Sequence, residues 1–118
     1  MSFFELLEGH LAELDIPYYE GQPEFEGQPP ETFISYSVYD VPGFYGCGKE
    51  LVTTYYVTIN IYAEGDDRAT VADNVSEALT NLLTNDGFVR ESGTYGLTDD
   101  FPRYYHKILK FNYAYRLL

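Results

Sequence analysis

Two histidines, one cysteine and two acidic doublets are the residues of this chain with reactive or ligating chemistry to offer. His10 and His106 have no Cys or His neighbour at ligand spacing, which argues against a His-rich metal site. His106 lies in a strand-like segment and reads as a polar strand residue ahead of a general base. Asp66-Asp67 and Asp99-Asp100 look like cation ligands, but acidic doublets beside Gly or Pro serve turns and caps, and neither fits an EF-hand loop. The run Gly43-Phe-Tyr-Gly46-Cys-Gly48-Lys49 has the glycines of a phosphate loop. It lacks the Ser or Thr after Lys49, where Glu50 stands, and a strand follows it where a helix is required. Cys47 has no base beside it in sequence. With no acid–base pair and no ligand cluster, the expected reading is a non-enzyme without cofactor or metal.

Charge is the stronger signal. The net charge is −12, and the first 48 residues hold nine carboxylates and no Lys or Arg. The last sixteen, Arg103 to Leu118, hold Arg103, Lys107, Lys110 and Arg116 and no acid. The overall balance opposes non-specific binding to nucleic acid or an anionic membrane, which need a cationic surface. Opposite charge at the two ends of the sequence offers two unlike surfaces, and unlike surfaces suit head-to-tail contact between copies, the geometry that closes rings.

At 118 residues and 45% apolar, the chain is expected to form one folded domain. One cysteine excludes an internal disulfide. No apolar run approaches the ~20 residues of a membrane span, and the N-terminus has no basic region leading into an apolar core, so synthesis and folding in a cytoplasm are expected. Thirteen Tyr, eight Phe and no Trp disfavour a sugar-stacking platform and favour strands and interfaces, where a Tyr ring is buried while its hydroxyl stays wet.

The elements that must position these residues are legible from periodicity. Ser2-Phe-Phe-Glu5 matches a capping box, and Phe4, Leu7, Leu11 and Leu14 give a helical apolar stripe that Pro17 ends. Residues 19–31, with Gly21, Pro23, Gly27, Pro29 and Pro30, read as an acidic arm or loop, with a short strand possible around Pro17 to Glu20. Thr32 to Tyr39 alternates as a strand. Residues 40–50 read as a Gly-rich irregular loop, and Leu51 to Glu64 is the cleanest strand. Gly65-Asp66-Asp67 starts a second helix with Val71, Val75, Ala78, Leu79, Leu82 and Leu83 inward and Gly87 at its C-cap. Phe88 to Glu91 reads as a short strand, residues 92–102 as a second irregular loop, and Arg103 to Leu118 as one long strand. Its two sides read as Tyr105, Leu109, Phe111, Tyr113, Tyr115 and Leu117 against Tyr104, His106, Ile108, Lys110, Asn112, Ala114 and Arg116. The expected fold is α+β: an antiparallel or mixed sheet of about four to five strands with two helices packed on one face.

The segments Ser37-Val-Tyr-Asp40…Phe44, Tyr56-Val-Thr-Ile-Asn-Ile-Tyr62, Gly87-Phe-Val-Arg90 and Tyr105-His-Lys-Ile-Leu-Lys-Phe111-Asn-Tyr113 occur in an order that resembles the tail-terminator proteins of long-tailed bacteriophages and prophages. These are also called tail-completion or head–tail joining proteins, and the resemblance spans Ser2 to Tyr113. It implies a virion protein of the tail or neck, made in the bacterial host cytoplasm. Its protomers would assemble into a ring, often a hexamer, that ends tail-tube polymerisation and docks onto the head connector proteins. An acidic ring lumen would repel passing DNA instead of gripping it. On this reading Arg103, Lys107, Lys110 and Arg116 meet Glu20, Glu24 and Glu26 of a neighbouring subunit, with Phe44 and Tyr45 as apolar anchors. Two alternatives stand beside it: a head–tail connector or minor tail component from the same gene cluster, and a small acidic inhibitor that mimics DNA.

Overall fold

The computed structural model describes residues 2–46, 49–97 and 103–116. The chain runs α1 (Phe3–Glu13), β1 (Tyr18–Glu20), β2 (Thr32–Gly46), β3 (Lys49–Ala63), α2 (Arg68–Asn85), β4 (Val89–Leu97) and β5 (Tyr105–Arg116). The strands form one sheet in the order β1-β2-β3-β5-β4. β1 is parallel to β2 and every other pair is antiparallel, so the sheet is mixed and the fold α+β, as expected.

The starts and stops of the helices follow from local chemistry. Ser2 caps α1, its hydroxyl accepting from the Glu5 backbone N–H at 3.1 Å. Asp15 takes a left-handed conformation (φ 57°) just past the helix end, a role Asp fills because its side chain tolerates that region. At the end of α2, Gly87 (φ 96°) turns the chain so that the Phe88 N–H reaches the Leu83 carbonyl. A side chain at Gly87 would also meet the Tyr113 ring, 3.5 Å from the Cβ position.

Both helices lie on one face of the sheet, and the main core forms between them. Phe3, Leu7 and Leu11 of α1 and Ala72, Val75, Leu79 and Leu83 of α2 pack with Ile34, Tyr36, Val57, Ile59, Ile61, Leu109 and Phe111. Register explains the match. Ile34, Ile61 and Lys107 stand in one row, Tyr36, Ile59 and Leu109 in the next, and Val38, Val57 and Phe111 in the third. The Tyr36 hydroxyl donates to Glu8 Oε1 at 2.9 Å, tying β2 to α1.

Four expectations need correction. Phe3, not Phe4, leads the stripe of α1: it stands one helical turn before Leu7 and stacks on Tyr55 with ring centroids 4.0 Å apart and planes 2° from parallel, while Phe4 is left at the rim. In α2, Ala72 and Ser76 are buried and Ala78 is exposed, so the inward stripe is rotated from the expected one. The expected 40–50 loop is strand as far as Gly46 and again from Lys49, because β2 and β3 stay paired up to Gly46 opposite Lys49, with shifts in register around Phe44. Gly-rich residues 92–97 likewise belong to β4, held by pairing with β5 through a bulge between Arg90 and Ser92. Cys47 and Asp99-Asp100 lie outside the described residues.

Candidate functional site

The sheet has a second face, and its two ends are finished differently. Alternation along the strands places Phe33, Ser35, Ser37, Tyr39 and Val41 of β2 on it. They stand beside Tyr62, Asn60, Thr58, Tyr56 and Thr54 of β3 and then His106, Ile108, Lys110, Asn112 and Ala114 of β5. At the first end the acidic arm crosses over the sheet. Phe25 packs edge-on against Phe33 at 5.1 Å and Tyr19 at 5.5 Å, closing a small second core with Tyr62 and Tyr104. The Tyr104 hydroxyl donates to the Pro30 carbonyl at 2.6 Å, with the Pro29 carbonyl at 3.3 Å. Burial, and next the nearby Glu64 and Glu31 carboxylates, push the Tyr104 hydroxyl above its ordinary pKa, so it stays a donor at neutral pH; Arg103 works in the opposite direction. The Pro- and Gly-rich segment is thus a strap fastened at Phe25 and at Pro30. Glu24 and Glu26 flank Phe25 and remain exposed.

His106 belongs to this face and does structural work. Its ring stacks on Tyr62 (4.4 Å, 15°), and its Nε2 lies 2.8 Å from the Asn60 side-chain oxygen. His10 lies on the helix side, where its Nε2 meets Asp86 Oδ2 at 2.7 Å and links α1 to the end of α2. A shallow cleft beside this pair is lined by Glu5, Leu6, Gly9, His10, Glu13 and Asp86. Among the described residues no group of three His, Cys, Asp or Glu side chains is placed to hold a metal ion. No described helix is long and apolar enough to cross a membrane.

The other end of the second face is open. Tyr39 and Tyr56 stack across the β2–β3 pair with centroids 4.9 Å apart and planes 12° from parallel, yet Tyr39 is 61% exposed. Val41 and Val89 of the same face are 43% and 57% exposed. Lys110 stands in register with Thr58, and Arg116 with Val52, and both cations are exposed. Neither has an ion-pair partner among the described residues. The rows from Ser37–Thr58–Lys110 through Val41–Thr54–Ala114 contain no carboxylate, in a chain that has nineteen. Most described acids sit instead on the helices, the strap, the turns and the helix side of β1 and β2; on β4, exposed Glu91 has the parity of Val89 and lies at the bulge opposite Lys110.

The residues expected at a subunit contact are therefore divided. Lys110 and Arg116 are on the same sheet face, six residues apart along β5. Lys107 has the parity of Tyr105 and Leu109 and faces the helices, where its Nζ holds Asp73 Oδ1 of α2 at 2.8 Å; it braces the fold. Arg103 is exposed at the strap's end of the sheet, next to Tyr104. Glu24 and Glu26 ride on the strap, whereas Glu20 pairs in register with Tyr36 and falls on the helix side. Of Phe44 and Tyr45 the backbone is strand; the anchoring roles expected of their side chains lie outside the described residues. Tyr39, Val41, Tyr56 and Val89 are the surface residues that the sequence reading passed over. Their strand alternation marks which side they take, but not that this side is uncovered.

The strand edges add to the open character. β1 pairs with β2 only over Ile34 to Tyr36, so the outer edge of β2 from Val38 onward has no strand beside it among the described residues. β4 forms the opposite edge of the sheet over nine residues. An exposed strand edge can pair with another chain, and an exposed apolar patch can mark an interaction site. No known protein-family model matches this chain, and no curated protein matches it.

Proposed function

We propose that this chain is a structural protein of a long-tailed bacteriophage or prophage. In this reading it forms a ring at the head-proximal end of the tail, ends tail-tube polymerisation and docks onto the head connector. The observation that carries the reading is the separation of charge by surface. Lys110 and Arg116 share a sheet face with exposed Tyr39, Val41 and Val89, whose β2, β3 and β5 rows from Ser37 to Ala114 hold no carboxylate, while most described carboxylates occupy the helices, the strap and the turns. A protomer with one cationic, aromatic patch and one acidic ridge at different places is self-complementary without being symmetric. Such contacts propagate head to tail and close when the rotation per subunit allows. The order of four segments, which resembles that of tail-terminator proteins, supports a place in the tail or neck.

The test is a tail-tube assay. Purified chain is added to polymerising tail-tube protein from the same phage, and tube lengths are measured by electron microscopy. Bounded tubes carrying a ring at one end support the terminator reading. Tubes of unlimited length with no bound ring count against it. A ring that binds the connector but leaves tube growth unchanged assigns the chain to the connector station of the same assembly.

A further inference from the structure

We infer that the open end of the second sheet face is the seat for the acidic strap of a second copy of this chain, with Glu24 and Glu26 of one copy meeting Lys110 and Arg116 of the next over the Tyr39–Tyr56 stack. The inference rests on the self-assembly reading above and gives it a specific contact. Three observations carry it.

The seat is chemically distinct from the rest of the protein. It combines three of the exposed large apolar side chains, Tyr39, Val41 and Val89, with two exposed cations, and its β2, β3 and β5 rows from Ser37 to Ala114 hold no carboxylate, Glu91 of β4 bordering it at the bulge opposite Lys110. A flat surface of aromatic, aliphatic and hydroxyl groups edged by cations fits an extended acidic segment.

The strap has the matching character and is already ordered. Phe25 is held by Phe33 and Tyr19, and the carbonyl of Pro30 is held by Tyr104, so Glu24 and Glu26 are presented from a fixed backbone. A fastened segment loses less conformational freedom on docking than a loose one, which favours it over a flexible acidic partner.

The strap also lies on the same sheet face as the seat, at its opposite end. It covers the Phe33–Tyr62 row and leaves the rows from Ser37 onward bare. One copy thus presents a ridge and a step, and a neighbour's ridge is the element of this chain with the charge and form to cover the step.

Two double variants at exposed positions test the contact. Glu24→Lys with Glu26→Lys makes the strap cationic, and Lys110→Glu with Arg116→Glu makes the seat acidic. Circular dichroism first establishes that each is folded, and light scattering then gives mass against concentration. Each variant alone is expected to need at least tenfold more protein to assemble than wild type. An equimolar mixture is expected to recover assembly, because alternating copies put every strap on a seat of opposite charge. Loss in both variants without recovery on mixing overturns the pairing. Wild-type-like assembly of either variant alone also overturns this contact, while leaving a ring built through another surface intact. A wild-type closed dimer that both variants lose and the mixture regains supports the contact and contradicts the ring. A wild type that stays monomeric at every concentration and ionic strength overturns the contact.

Discussion

Tyr39 and Tyr56 lie directly opposite each other in the β2–β3 register with their rings stacked at 4.9 Å, on a side of the sheet that neither helix covers. Cross-strand aromatic pairs contribute roughly 0.2–1 kcal/mol to a sheet. Beyond that modest contribution to the monomer, Tyr39 remains 61% exposed on this side.

Replacing Tyr39 with Ala is therefore expected to lower the unfolding free energy by less than ~1 kcal/mol. Assembly is expected to fall much further, because aromatic side chains dominate interface energetics. Urea denaturation and concentration-dependent mass, measured on the same preparation, separate the two effects. A large stability loss with unchanged assembly would place Tyr39 in the fold alone.

Lys107 and Lys110 are three residues apart on β5 and are expected to behave oppositely. Lys107→Ala removes the bridge to Asp73, whose carboxylate is largely exposed, and should cost about 1 kcal/mol or less with assembly unaffected. Lys110→Ala should leave the unfolding midpoint within experimental error and weaken assembly in a salt-dependent way. Equal effects of the two substitutions on assembly would contradict the division of β5 into a helix side and an open side.

Phe25 is the strap's anchor, so Phe25→Ala should loosen the strap without unfolding the sheet. Limited proteolysis is expected to cut between Glu24 and Gln28 faster in this variant. The global cost should be below the ~2–5 kcal/mol expected for Leu109→Ala in the main core, where the side chain is fully buried. A strap as resistant as wild type would mean that the Tyr104 hydrogen bonds hold it unaided.

Alkaline pH should act through Tyr36. Burial, then the hydrogen bond to Glu8 and the nearby carboxylate charges, raise its pKa well above the ordinary value of a tyrosine. A group whose folded pKa is raised binds its proton more tightly in the folded state. The stability it contributes is fully present below about pH 10, the unfolded value, and is lost as pH climbs from there through the folded value. Tyr36→Phe should cost roughly 1 kcal/mol at neutral pH through the lost hydrogen bond and flatten the decline above pH ~10. An unchanged alkaline slope in the variant would assign that slope to other groups, Tyr104 among them.

Much of this fold could be read from residue spacing, and the failures have physical causes. The strict alternation of Thr54 to Ala63 marked β3, and the Ser2 cap and Gly87 turn marked helix ends. Pro42, Gly43 and Gly46 are turn formers, so β2 looked as if it ended at Tyr39. Pairing with β3 overrides that preference, and Pro42 sits where β2 has a described strand on one side only, the edge setting that tolerates a missing N–H. The same override extends β4 through Gly93 and Gly96. Of the site, the opposite charges of the two ends of the chain were plain in the sequence. Their distribution over surfaces was not, because it depends on β5 inserting between β3 and β4 and on the strap folding back over Phe33. Lys107 shows the consequence most clearly: one position's parity decides whether a cation faces Asp73, as Lys107 does, or the open side, as Lys110 does.

The most direct test of the central claim is the absolute mass of the protein in solution, by light scattering coupled to size exclusion, at low and moderate salt. The account predicts a closed species of several protomers, hexamer-sized if the tail-terminator resemblance holds in full, that dissociates as salt screens the contacts of Lys110 and Arg116. A monomer at every ionic strength and at high protein concentration would contradict it.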